Sequence, residues 1–144
     1  MVDVNTRIQI AKPLHQVAEY TVNPDNAPIW YDQILKAEWK TTKPMAIGSQ
    51  IEFAADFMGQ IMHYTYEICE WIPNQKMVMR TAQGPFPMET TYTFESIDEN
   101  NTWVKLRNKG KPEGFTRVIA PILAAFMKNA NKKDLMKLKA ILEG

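Results

Sequence analysis

The chain has 144 residues, with 17 Lys and Arg against 16 Asp and Glu and a net charge of +1. So even a balance offers no basic face of the kind nucleic acid requires, and no nucleic-acid partner is expected. A 45% hydrophobic, 23% charged composition excludes a disordered chain and fits one domain, residues 1–144, able to bury roughly 68–70% of its unfolded surface.

The opening segment VDVNTRIQI puts Val2, Val4, Ile8 and Ile10 on one face and Asp3, Asn5, Arg7 and Gln9 on the other, the pattern of a half-buried strand. It has no apolar stretch of the signal-peptide kind, and no run anywhere approaches the 18 or so apolar residues of a membrane span, so no membrane insertion is expected. Cys69 is the only cysteine, which excludes an internal disulfide and suits a reducing, cytoplasmic setting. Pro13 then opens a short helix with Leu14, Val17, Ala18 and Thr21 inward; Asn23 and Pro24 end it, and a second short helix is predicted over residues 27–32. Trp30 is expected to wedge that helix against the sheet and to floor or rim a cavity, while Tyr31, beside Asp32, is expected to face water.

From residue 34 the period becomes two and stays so for about 75 residues. Six strands follow, separated by turn-length breaks: Met58-Gly59-Gln60, IPNQ, GPFP and IDENN among them. Alternation turns Leu35, Ala37 and Trp39 inward, then Ile51, Phe53, Ala55 and Phe57, then Met62, Tyr64, Tyr66 and Ile68. Further on it selects Met77, Met79 and Thr81; Met88, Thr90, Tyr92 and Phe94; and Thr102, Val104, Leu106 and Asn108. Such short connections require antiparallel pairing, and with the first strand the sheet has seven members. One face is apolar and needs a cover, which residues 113–143 supply. Phe115, Ile119, Ile122 and Phe126 recur at helical spacing, as do Leu135, Leu138 and Leu142, with Asn131 between the two stripes. Pro121 predicts a kink or a start near residue 120.

Three stretches in this order resemble the START-like (SRPBCC) superfamily, in particular its polyketide cyclase/dehydrase branch. They are IQIAKPLHQVAEYTVNPDNAPIW, YEICEWIPNQKMVMR and APILAAFMKNANKKDLMKLKAILEG. The resemblance implies an α+β helix-grip fold: a seven-stranded curved antiparallel sheet wrapped around a long C-terminal helix, with two short helices between strands 1 and 2. It also implies an apolar cavity and a small hydrophobic ligand such as a lipid, polyketide or isoprenoid. The residues expected to line that cavity are Trp30, Trp39, Phe53, Phe57, Tyr64, Tyr66, Met79, Thr90, Tyr92, Phe94 and Asn108, with Phe115, Ile119, Ile122 and Phe126 from the helix.

None of the inward sheet residues is an acid, a base or a histidine; Glu70 alone shares the phase of Tyr66, and Arg80 and Glu89 point outward. Such a wall suits binding better than acid–base catalysis, since a tyrosine pKa of about 10 lies far from working pH. A binding or carrier protein is therefore expected, with a cyclase or dehydrase-type enzyme and a regulatory or interaction protein as alternatives. The two histidines, His15 and His63, lie on separate elements, so no metal site is expected, and no cofactor motif is present. Trp103, of outward phase, marks the one candidate surface for a partner or a homodimer.

Overall fold

The first strand, β1 (Val2–Ile10), buries Val2, Val4, Thr6 and Ile10 on one face, as its alternation requires. In the computed structural model, which describes residues 1–57 and 59–144 and all their side chains except those of Phe115 and Thr116, two short helices follow. They are α1 (Leu14–Val22) and α2 (Ala27–Trp30), joined by a single turn over Pro24–Asn26. Pro13 sits at the N-cap of α1, and Asn23 caps the turn by accepting from the Asp25 backbone N–H at 3.0 Å. A chain that stops and restarts twice within so few residues can double back under the sheet.

Six strands then run as a meander: β2 (Ile34–Trp39), β3 (Gln50–Phe57), β4 (Gln60–Ile72), β5 (Lys76–Gln83), β6 (Met88–Asp98) and β7 (Asn101–Gly110). β1 closes the far edge on β7, so the seven-stranded antiparallel order is β1-β7-β6-β5-β4-β3-β2. Of the expected turn at residues 58–60, Met58 lies outside the described residues; Gly59, at φ 88°, takes the left-handed conformation a side chain would resist.

Two bulges alter the inward set. Between Ile34 and Lys36 the β2–β3 register slips by a residue, and Leu35, expected inside, is 54% exposed. Between Ile68 and Glu70 the β4–β5 register slips again, because Ile68 pairs with Met79 and Glu70 with Val78. That extra residue, Cys69, reverses the phase of everything after it. Trp71 therefore packs against the core, while Glu70 points outward to Lys76 Nζ at 3.5 Å.

The C-terminal segment is two helices, α3 (Phe115–Val118) and α4 (Ala120–Glu143), broken at Ile119. Pro121 falls in the first turn of α4, where the N–H it lacks would have had no partner. This restart shifts the apolar stripe. Leu123, Met127, Asn131, Asp134, Leu135 and Leu138 face the sheet, and Ile122 is left 63% exposed. The first half of α4 packs Leu123 and Met127 on Val2, Val4 and Phe86, and the second half packs Leu135 and Leu138 in the main core with Ile10 and Trp30. At its end Glu143 Oε2 accepts from the Ala11 backbone N–H at 2.8 Å, and Lys139 Nζ donates to the Gln9 carbonyl at 2.8 Å. The helix is thereby tied to the tail of β1.

Candidate functional site: a cavity between sheet and helix

A cavity of about 140 Å³ lies between the inner face of β3–β7 and α4. Eight of the expected lining residues meet there: Phe53 and Phe57 from β3, Tyr64 and Tyr66 from β4, Met79 from β5, Thr90 and Tyr92 from β6, and Asn108 from β7. Strand alternation alone brings them together, since each holds the inward phase of its own strand.

Six of the other seven expected residues do not line it. Trp30 is fully buried behind Tyr31, with ring centroids 4.0 Å apart, so it supports the wall rather than forming it. Trp39 ends the edge strand, where its indole N–H donates to Asp25 Oδ1 at 2.8 Å. Phe94 lies farther along β6 and borders a separate shallow hollow with Ala18 and Trp71. Ile119 is the residue at the helix break, Ile122 faces out, and Phe126 packs edge-on against Phe57 at 5.8 Å, all consequences of the shifted helix register. The side chain of Phe115 lies outside those described.

Several lining residues escaped the sequence reading. Tyr31, expected in water, turns its hydroxyl into the cavity and shares a hydrogen bond with the Tyr92 hydroxyl. Burial holds both phenols above the ordinary tyrosine pKa, and each is raised further by the nearby Asp134 charge. Asp134 and Asn131 enter from α4, with Met127 one turn earlier. The signal for them was a polar pair at i, i+3 interrupting an apolar helical stripe.

Asp134 is only 3% exposed, and burial pushes its carboxyl from 3.8 up to about 6, although the Asp32 backbone N–H donates to Oδ1 at 3.0 Å. A second polar line crosses the sheet. Thr90 Oγ1 donates to Asn108 Oδ1 at 2.7 Å, and Thr90 also meets the hydroxyl of Tyr66, whose pKa burial raises.

The charged sheet residues stay outside. Arg80 Nε meets Glu89 Oε2 at 2.6 Å, and His63 Nδ1 lies 3.4 Å from Glu52 Oε1. Cys69 is half-buried and donates to the Glu67 carbonyl. Trp103 is not a bare surface, because the Arg7 guanidinium covers its ring at 4.6 Å. Among the described residues no group of three or more His, Cys, Asp or Glu side chains is arranged to hold a metal ion. No described helix is long and apolar enough to cross a membrane.

A curled antiparallel sheet closed over a cavity by a long C-terminal helix, with two short helices after the first strand, is the START-like helix-grip architecture. The chain belongs to the polyketide cyclase / dehydrase and lipid transport family, whose model matches residues 1–143. It is similar to an uncharacterized 17.2 kDa protein of Streptomyces lincolnensis, 22% identical over 143 residues, or 99% of this chain and 91% of that one. Among solved structures it resembles a START superfamily protein from Mycobacterium smegmatis, with TM-score 0.81 and 14% identity over 98% of this chain and 97% of the other. It also resembles the Zhui aromatase/cyclase from Streptomyces sp. R1128, with TM-score 0.82 and 15% identity over 98% and 93% of the two chains. At these identities the structural likeness carries the fold, and the family supports a ligand-binding or cyclase role.

Proposed function

We propose that residues 1–144 act as one domain that binds or carries a small hydrophobic molecule in the cavity between sheet and helix. The observation that carries this reading is a cavity of about 140 Å³ with walls such as Ile51, Phe53, Met77 and Met79 and a few polar groups. A dry apolar cavity of about 150 Å³ holds a benzene ring, so a one-ring ligand fits without rearrangement. Longer molecules need the flexible side chains of Met77, Met79, Met88 and Met127 to move aside. Native mass spectrometry of freshly purified protein tests the reading: a discrete added mass, released on denaturation and apolar when identified, supports it. A crystal structure with the sheet–helix space packed solid would sink it.

One observation favours a second reading, an enzyme of the cyclase or dehydrase kind using the same cavity. Asp134, at about 6, is a carboxyl able to take and return a proton near neutral pH, beside the Tyr31–Tyr92 pair. It ranks second because Asp134 is the only acid or base of the lining, among the described residues, that titrates in that range; the tyrosines are held protonated. Turnover of a one-ring or polyketide-like substrate that disappears in Asp134→Asn would reverse the ranking.

A further inference from the structure

The polar groups of the helix side of the cavity form a pair with a definite chemistry. Asn131 and Asp134 stand three residues apart on α4, so their Cβ atoms are neighbours at about 5–6 Å on one helix face. Both line the cavity and both are buried, at 6% and 3% exposure. Among the described residues Asn131 Nδ2 is a donor with no partner; it lies beneath the wall of the cavity, so a ligand oxygen meets it once the amide turns about its Cβ–Cγ bond. Among the described residues, the Asp134 carboxyl receives one hydrogen bond, from the Asp32 N–H to Oδ1, which leaves most of its acceptor capacity unused. An unserved buried polar group is costly, so a group that serves both at once gains on binding.

A carboxylate short of a donor beside an amide short of an acceptor is complementary to a group that does both. A hydroxyl has one proton to give and two lone pairs to receive. An ether or a ketone satisfies Asn131 and leaves Asp134 unserved. A carboxylate brings a second negative charge into a lining that, among the described residues, contains no Lys, Arg or His. The Tyr31 and Tyr92 hydroxyls, hydrogen-bonded to each other, line the same cavity.

Resting on the reading of this cavity as a ligand seat, we propose that Asn131 and Asp134 form a hydroxyl-recognition subsite. The ligand class is a neutral phenol or alcohol of about one ring, its O–H donating to Asp134 and its oxygen accepting from Asn131.

Three matched probes separate this subsite from a merely greasy cavity: 4-ethylphenol, 4-ethylanisole and 4-ethylbenzoate, titrated calorimetrically into the wild-type protein at pH 7.5. The phenol binds about tenfold or more tighter than the anisole, as a charge-assisted hydrogen bond gives, and the benzoate binds weakest. In Asn131→Leu and Asp134→Leu the phenol preference shrinks toward unity while the anisole still binds. Equal affinity for phenol and anisole overturns the subsite and leaves the apolar seat intact. Tightest binding by the benzoate also overturns it. If none of the three binds, the subsite fails, while the apolar seat is judged separately by the native mass spectrometry of the purified protein.

Discussion

Tyr31 and Tyr92, 61 residues apart in the chain, share a hydroxyl–hydroxyl hydrogen bond inside the cavity. One comes from the loop that leaves α2 and the other from the middle of the sheet, so the bond joins the short-helix layer to the β-layer. Trp30 packs on both rings, at 4.0 Å from Tyr31 and 6.1 Å from Tyr92.

Removing either hydroxyl strands the other in a buried place. Tyr31→Phe and Tyr92→Phe are each expected to lose about 1–3 kcal/mol in urea unfolding. The double variant loses less than the sum, because two apolar rings leave no orphan. Strict additivity would show that the two hydroxyls do not act as a pair.

Asp134 makes stability depend on pH. Its carboxyl rises from 3.8 to about 6 on folding, so between those values the folded chain holds more protons than the unfolded one. Stability therefore falls as pH rises through this window: the penalty is absent below 3.8 and complete above about 6. Asp3, Asp25, Asp98 and Glu143, whose pKa values are lowered by their hydrogen bonds, act in the opposite sense at lower pH. The wild type must therefore be compared with Asp134→Asn, which still accepts from the Asp32 N–H. The variant is more stable at pH 8, by up to about 3 kcal/mol, and the difference vanishes near pH 4. A difference that does not grow with pH would falsify the buried-charge account.

Gly84 passes so close to Tyr64 that an added Cβ would stand 2.7 Å from the ring's Cδ1. Gly84→Ala must push that ring into the cavity or lift the loop, a loss of about 1–3 kcal/mol measured by thermal or urea unfolding. An unchanged midpoint would show that the loop yields freely.

The bulge in β2 and the restart of α4 make a matched prediction about apolar residues that look like core. Leu35→Gln and Ile122→Gln are expected to change stability by no more than about 0.5 kcal/mol, since both side chains lie mostly in water. Leu123→Ala, one position along the helix, loses about 2–5 kcal/mol because Leu123 is fully buried. Comparable losses at all three sites would contradict the register described above.

Much of this architecture is legible in the sequence because alternation survives over long strands. Phe53, Tyr64, Tyr66, Thr90, Tyr92 and Asn108 all line the cavity from the phase their strands announce. What escaped has a common cause. A period extrapolated through a bulge or a helix break comes out on the wrong side, as Leu35, Glu70 and Ile122 show. Tyr31 was obscured by its neighbour Asp32, because a loop residue has no periodicity to reveal which way it turns. Asn131 and Asp134 are hidden for a different reason: a polar residue in a helix of many lysines shows its burial only once the sheet determines which stripe is covered.

The cavity's carboxyl and most of its apolar breadth come from separate parts of the chain. Its breadth is set by strand residues such as Phe53, Met77 and Met79, while its carboxyl and its free amide both stand on α4, a helix held at its end by Glu143 and Lys139. On the proposed reading, the breadth of the chamber and the carboxyl facing a ligand are thus set by different elements. On that reading, substitutions at Asn131 and Asp134 change the polar groups offered to a ligand without disturbing a strand register, and substitutions at Phe53 or Met79 widen or narrow the chamber without removing the carboxyl.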